Sequence, residues 1–516
     1  MTQAAPPTPT HPDAESPPSA VHTPSPWARG GPWLIMLAGA VLSLTLVARI
    51  PDEVFFSGDG GLKALLTKQF ASGRWACDLR LPAEPWLGQL WEEGAYPFAP
   101  PFVYPLRGGQ YLAFPATFPF VTAPFYACFG YYGLYVLPLA GLWLTWLQFH
   151  RLCKRFELPA AESILSMAGL VLATPLTLYG AMYWEHTLAV ALAFAGLAQT
   201  LTPSGAKRSL SGYVIGGLLL GLSVWFRPEC LCVAAAVIVA FFVLSKHNGA
   251  WGPWGAFTAA TLVMVAAFAA LNFLLYRNPL GAHALQVTEG FDFAGHLVKA
   301  ARYCLWLNIQ LLFYVPLVVF ILLVTLLPFF GRPLKLTPTL SYLLTVLVLA
   351  SIAVPLIIPH TGGRTWGPRF LLCSAPIATL AAGLLLRQIR QEQRRRRGLL
   401  ALVIFLGALL GGAALNTGFG TSKLDRNYAT RVRPALDFLR HSRQDVVVVT
   451  HQWVAQELQP LLDYKHFLRI DRPTDLEELA PAIREQGYDG FVLVWARYED
   501  DPPEQRFQFE GPRVTV

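Results

Sequence analysis

"SGDGGLKALLTKQFASG", Ser57–Gly73, is the stretch on which the fold turns. It follows a long apolar run, Trp33–Ile50, and carries one carboxylate, Asp59, among glycines. Leu62, Leu65, Leu66 and Phe70 share a helical face, so the spacing predicts a short helix lying in a membrane interface. Read locally, Asp59 is an N-cap before that helix. Lys63, one turn on, then makes an exposed i,i+4 pair worth about 1 kcal/mol at most. Read as part of an enzyme built in a membrane, the same carboxylate is an acid–base group.

The surrounding chain favours a membrane. It has 516 residues, 54% of them hydrophobic and only 14% charged, with a mean hydropathy of +0.42. A water-soluble chain carries about 25% charged residues. Apolar runs long enough to cross a bilayer recur, which predicts an α-helical polytopic membrane protein with about eleven transmembrane helices. They fall near Trp33–Ile50, Ala123–Leu147, Ala161–Tyr179, Thr187–Leu201, Ser209–Phe226, Cys230–Leu244, Phe257–Leu275, Leu305–Phe330, Tyr342–Ile358, Phe370–Leu386 and Leu399–Leu415. The aromatic, Pro-containing segment around Phe114–Phe120 reads as re-entrant or interfacial. The seven cysteines show no paired spacing, so neither a disulfide framework nor a zinc site is expected. Residues 1–30 begin with a Pro/Ser/Thr-rich tail too polar to fold, and no signal-peptide pattern precedes Trp33.

Charge sets the topology. One set of loops, among them Arg151–Arg155, Lys207–Arg208 and Arg387–Arg397, holds fourteen Lys and Arg, against six in the opposite short loops. The positive-inside rule places the first set, and the N-terminus, in the cytoplasm. The large first loop (51–122) and the C-terminal tail then lie outside, as expected for a bacterial inner membrane protein. "RQIRQEQRRRRG" reads as a cytoplasmic topology signal, and the net charge of +8 is absorbed by such loops, so no nucleic-acid partner is expected. Membrane lipids are.

The tail differs in kind from the membrane domain (31–418). "RPALDFLRH", "QWVAQELQPLLDY" and "TDLEELAPAIREQG" read as helices, and "DVVVVT", "HFLRI" and "GFVLVW" as strands. Their alternation predicts a small exoplasmic α/β domain over 419–516 with a mostly parallel sheet. The turn after "VVVVT" lacks the glycine that a phosphate cradle needs, so the domain reads as a lid, a docking module or a structural cap.

Ionisable groups near hydrocarbon are costly, and several gather at the outer ends of spans. "YGAMYWEHTL" puts Glu185 and His186 in a short turn. "WFRPEC" places Arg227 beside Glu229, as an internal pair or as an arginine aimed at an anionic headgroup. "PHTGGRTWGPRFLL" holds His360, Arg364, Trp366 and Arg369 around Gly362 and Gly363, a pattern suited to wrapping a phosphate. The loop Tyr276–Cys304, with His283, Glu289, Asp292 and His296, shows no metal spacing and reads as a gating loop. A carboxylate and several arginines sharing one cavity suit a transferase: the cations stabilise a leaving phosphate and the carboxylate takes a proton.

At these residues the chain resembles the GT-C superfamily of integral-membrane glycosyltransferases. The nearest branch holds the dolichyl-phosphate-mannose protein mannosyltransferases and the bacterial lipid A aminoarabinose transferases. That branch places an Asp, usually Asp-Glu, just after span one, followed by interfacial helices. "SGDGGLKALLTKQFASGRW", "YWEHTLAVALAFAGL", "GGLLLGLSVWFRPE" and "GGRTWGPRFLLCSAPIATLAAGLLL" are similar to segments of bacterial members, and the likeness spans roughly Trp33–Leu415. Here Asp59 is followed by Gly60, while a literal "PDE" stands at Pro51–Glu53. The resemblance implies Asp59 as the general base, with Asp52 as second choice. It implies a polyprenyl-phosphate-linked sugar donor held by Lys63, Arg227, Arg364 and Arg369, and transfer with inversion to an envelope glycan, lipid or protein acceptor. Glu185, His186, Glu229, His360 and Trp366 would line the substrate cavity. Some relatives use a divalent metal, this branch generally does not, and no metal or cofactor is expected. The alternative is a transporter or flippase of lipid-linked sugars. Transporters favour internal repeats and mid-membrane broken helices, whereas this chain shows no clear repeat and its polar clusters lie at one face.

Overall fold

Long apolar runs without water to satisfy their backbone must close their hydrogen bonds within the segment, and here they do so as helices. The structure, a computed structural model, describes residues 26–202, 209–288, 293–326, 334–358, 365–392, 395–472 and 474–495. Helix α1 (Pro26–Arg49) leaves Leu34, Leu37, Val41 and Leu44 exposed while burying Leu46 and Val47. Helix Trp251–Tyr276 likewise exposes Leu262, Val263, Phe273 and Leu274. Such apolar outer faces belong to a multi-pass protein solvated by lipid.

Among the described residues, five helices are long and apolar enough to cross a membrane, or six if one bent pair counts as one span. Four more apolar helices have 10–17 residues. Fewer than eleven long spans are seen among the described residues because several runs are interrupted. Pro175 separates Ala160–Leu172 from Leu176–Gly180. Pro316 lies between Gly295–Tyr314 and Leu317–Leu326, which meet at 101° where the sequence predicts one straight span. Proline removes a backbone donor and clashes with the preceding turn, so breaks at these positions are expected. Elsewhere helices approach closely: a Cβ on Gly217 would stand 2.2 Å from the Phe257 carbonyl oxygen, so only glycine fits between helices Leu210–Phe226 and Trp251–Tyr276.

The helix after span one departs from expectation. Helix α2 (Gly58–Ala71) does not lie exposed in the interface plane; it is buried on nearly every side. Asp59 lies in its first turn, and Ser57 occupies the N-cap position without a side-chain cap bond. The stripe Leu62–Leu66–Phe70 joins the main core, and Thr67 Oγ1 lies 2.6 Å from Tyr183 Oη on the turn before the Glu185 helix. Phe118 and Pro119, in the segment expected to be re-entrant or interfacial, belong to the helix Thr117–Phe129.

In the first loop, β1 (Val103–Leu106) and β2 (Gly109–Leu112) form an antiparallel hairpin. The C-terminal part builds a three-stranded parallel sheet of β3 (Val446–Val449), β4 (His466–Arg469) and β5 (Phe491–Val494), in the order β4-β3-β5. Helices Gln452–Glu457 and Asp475–Glu485 connect them, as the alternating pattern predicts. Side chains alternate across a strand, and β3 is buried on both faces. Val446 and Val448 pack with Leu87 of the first loop, and Val447 and Val449 join the main core. Trp91 Nε1 donates to the Phe467 carbonyl oxygen at 2.8 Å, so the first loop and the C-terminal sheet share packing. The last span runs into this unit as one helical stretch, Arg395–His441; residue 419, where the sequence reading begins the C-terminal domain, lies within it.

Candidate functional site

Burial of α2 turns two of its polar residues inward. Asp59 Oδ2 accepts from Arg369 Nη1 at 3.0 Å. One turn on, Lys63 Nζ donates to Glu185 Oε2 at 2.6 Å. The expected exposed Asp59–Lys63 pair is therefore replaced by two buried pairs, each to a different segment.

Arg227 completes the cluster. It precedes Pro228, which favours extended backbone and ends helix Leu210–Phe226 at that point. Its Nη1 donates to Glu185 Oε1 at 2.8 Å and its Nε to Glu229 Oε1 at 2.5 Å. Of the two readings of "FRPE", the internal pair forms, and the arginine also reaches a second acid of the protein, Glu185. Glu185 sits between Lys63 and Arg227. Burial alone raises its pKa, but the two cations reverse that and hold its carboxyl down at about 2. Burial pulls the Lys63 ammonium below its ordinary value, opposed by Glu185 and Asp59. Three acids and three bases balance in charge, which is what a desolvated cluster requires.

Aromatic rings wall the cluster. Lys63 Nζ lies 4.3 Å from the Phe114 ring centroid, and the Phe370 ring has the Arg369 guanidinium at 5.0 Å and that of Arg227 at 5.4 Å. His186 packs against Trp184 and Tyr179 at 5.1 and 5.3 Å between ring centroids. A narrow cleft, with a cavity volume of about 10 Å³, is lined by His186, Arg227, Glu229, Cys230, Arg369 and Cys373, among others. Arg369 Nε, Glu229 Oε2 and both His186 ring nitrogens are buried without a protein partner. Buried polar atoms are normally satisfied, so the donors and acceptors left over on this cleft are where water or another polar group would bind.

Of the residues singled out in the sequence, Asp59, Lys63, Glu185, His186, Arg227, Glu229 and Arg369 come together here. Asp52 is exposed, and its neighbour Glu53 pairs with Lys68 at 2.9 Å. Trp366 donates to Asn416 Oδ1 at 3.1 Å and packs on Tyr314, so it pins the last span rather than lining the cleft. His360 and Arg364 lie outside the described residues. The sequence reading passed over Phe114 and Phe370, which look like ordinary apolar positions until the fold sets them against charges, and Tyr183, whose hydroxyl meets Thr67. It also passed over Gln456 and Gln459. A Cβ on Gly58 would meet Gln456 Oε1 at 2.4 Å, and one on Gly61 would meet the Gln456 carbonyl oxygen at 2.3 Å. The glycines of "SGDGG" therefore let the C-terminal part press directly on the helix that carries Asp59.

Among the described residues no group of three or more His, Cys, Asp or Glu is placed to hold a metal ion. Among the described residues, Asp59, Glu185 and Glu229 are each engaged by a cationic side chain.

No family model matches the chain, and no curated protein matches it in sequence. Solved structures do. ArnT from Cupriavidus metallidurans bound to undecaprenyl phosphate superposes with a TM-score of 0.53 at 13% identity, over 90% of each chain. The apo state of the same protein gives 0.52 at 14%, over 89% of each. The apo oligosaccharyltransferase of Archaeoglobus fulgidus follows at 0.48 and 13%, over 87% of this chain and 66% of that one. At such identities the likeness is one of fold. Over nine-tenths of its length this chain therefore has the fold of ArnT.

Proposed function

We propose that the protein is a polyprenyl-phosphate-dependent glycosyltransferase working at the outer face of the bacterial inner membrane, with its N-terminus cytoplasmic. The observation that carries this reading is the Asp59–Arg369 pair at the head of α2, beside a cleft with unsatisfied polar atoms. The fold is shared with ArnT, a protein solved bound to undecaprenyl phosphate. A lipid phosphate of that class is the donor headgroup proposed here, and the acceptor is an envelope glycan, lipid or protein.

In this mechanism Arg369 exchanges partners. The donor phosphate takes the guanidinium, whose Nε is still free to donate, and Asp59 is released from its cation. Freed of that charge, the carboxylate becomes a better base. An acceptor hydroxyl attacks the anomeric carbon from the side opposite the phosphate, Asp59 takes the hydroxyl proton, and the lipid phosphate leaves on Arg369. One bond forms as the other breaks, so the anomeric centre inverts. Arg227 and Lys63, already bound to Glu185 and Glu229, act as the fixed electropositive wall behind it rather than as first contacts for phosphate. The deciding experiment is sugar transfer from polyprenyl-phosphate donors in vesicles, wild type against Asp59→Asn; full activity in the variant would sink the assignment.

A further inference from the structure

The two banks of the cleft each carry a cysteine. Cys230 directly follows Glu229, and Cys373 lies four residues after Arg369. They are 143 residues apart in the chain, yet their Sγ atoms are 4.0 Å apart, and both line the cleft. Cys230 is buried and Cys373 half-buried, so one thiol is reachable and the other stands behind it. A disulfide needs sulfurs about 2 Å apart, and the remaining approach is on the scale of a side-chain rotation. Of the other cysteines, Cys232 is turned to the Ala353 carbonyl oxygen at 3.3 Å and Cys304 to that of Ser351 at 4.0 Å.

We propose that Cys230 and Cys373 form a disulfide that ties the Arg227–Glu229 turn to the Arg369 segment. Its formation in the cell rests on the outer-face reading above, since disulfides persist in oxidising compartments. The oxidant is a thiol–disulfide oxidoreductase carrying a reactive disulfide. The half-buried Cys373, as thiolate, attacks that disulfide, gives a mixed disulfide and releases one carrier thiol. Cys230 then attacks Cys373 Sγ, forms the internal bond and releases the second carrier thiol. Two protein thiols lose two protons and two electrons, and the carrier disulfide becomes a dithiol. The bond fixes the distance between the cluster's two arginine-bearing segments, which otherwise belong to separate helices. Residue spacing carries no sign of this pair, because only the fold brings the two together.

The test uses the full chain in its membrane. Thiols are trapped by acid, blocked with N-ethylmaleimide, and the protein is digested without reductant for mass spectrometry. The expected result is a Cys230 peptide linked to a Cys373 peptide, two hydrogens lighter than the sum of its parts. In Cys373→Ser, Cys230 should instead carry maleimide. A parallel sample in detergent is exposed to oxidised glutathione. Linkage only in that sample supports the pair and overturns its oxidation in the cell. Maleimide on both cysteines in both samples, or linkage of either to another cysteine, overturns the proposal. None of these readouts depends on sugar transfer, so failure of the enzymatic reading registers separately.

Discussion

Arg369 Nη1 donates to Asp59 Oδ2 at 3.0 Å, so the cation suited to a donor phosphate is held by the carboxylate suited to be the base. Either group gains freedom only when the other finds a new partner. A donor carrying a phosphate supplies that partner, which ties readiness of the base to arrival of the donor.

Asp59→Asn therefore has two opposite effects. Transfer in vesicles falls by a factor of about 10² or more, the usual worth of a positioned base. Binding of bare undecaprenyl phosphate becomes tighter than in wild type, because Arg369 no longer has an anion to leave. Weaker lipid-phosphate binding in the variant would show that the arginine does not switch partners.

Arg369→Ala removes the phosphate ligand and leaves Asp59 without its cation. The expected kinetic signature is a donor KM raised at least tenfold, with acceptor KM changed little, alongside a fall in kcat. Initial-rate measurements varying each substrate in turn decide it, and a larger effect on the acceptor would place Arg369 on the wrong side of the reaction.

Glu185 is the keystone of charge, lying between Lys63 and Arg227. Glu185→Gln strands the buried Lys63 ammonium and leaves Arg227 with Glu229 alone, and should cost about 3–5 kcal/mol, read as a lower thermal midpoint in detergent. Adding Lys63→Met removes the stranded charge and should recover part of the loss. If the double variant is no more stable than the single, the two side chains do not share their charge.

The same carboxyl fixes a pH dependence. Its folded pKa is about 2 against an ordinary 4.5. A lowered carboxyl pKa adds stability that is complete above about 4.5 and is lost as pH falls through about 2, some 3 kcal/mol in all. Wild type should thus be insensitive to this group from neutral pH down to about 5, and its advantage over Glu185→Gln should shrink below 4.5. Thermal midpoints of both proteins across that range check the sign.

Gly61→Ala drives a methyl against the Gln456 carbonyl oxygen, which sits 2.3 Å from the new atom. The expected cost is about 1–3 kcal/mol, with faster proteolysis of the C-terminal part. Gly407→Ala is the control, since nothing lies within 4 Å of its Cβ position. Equal behaviour of the two variants would mean that the C-terminal part does not bear on α2.

Much of this was legible from residue order. Periodicity located the C-terminal strands and helices, because β3 is a pure valine run and the helix Asp475–Glu485 is bounded by turn residues. Charge near span ends pointed to seven side chains that the fold gathers. The pairing was not legible. Local spacing joined Asp59 to Lys63, whereas tertiary burial sends Asp59 to Arg369, 310 residues away, and Lys63 to Glu185, 122 away. Nor did hydropathy reveal that α2 is covered on its polar side, because that cover is Gln456 and Gln459, residues with no apolar signal of their own. Hydropathy windows also ran through Pro175 and Pro316, which a helix cannot ignore.

The helical stretch Arg395–His441 has 47 residues, about 70 Å at 1.5 Å per residue, more than twice the thickness of a bilayer's hydrocarbon core. It is a lever whose short arm is anchored in lipid and whose far end carries the β4-β3-β5 sheet. A thicker or thinner bilayer changes the tilt of a span to match its apolar length. Beyond its far end Gln456 lies against Gly58 and Gly61 at the head of α2, so the span that meets the bilayer and the helix that carries Asp59 are joined through one small sheet unit.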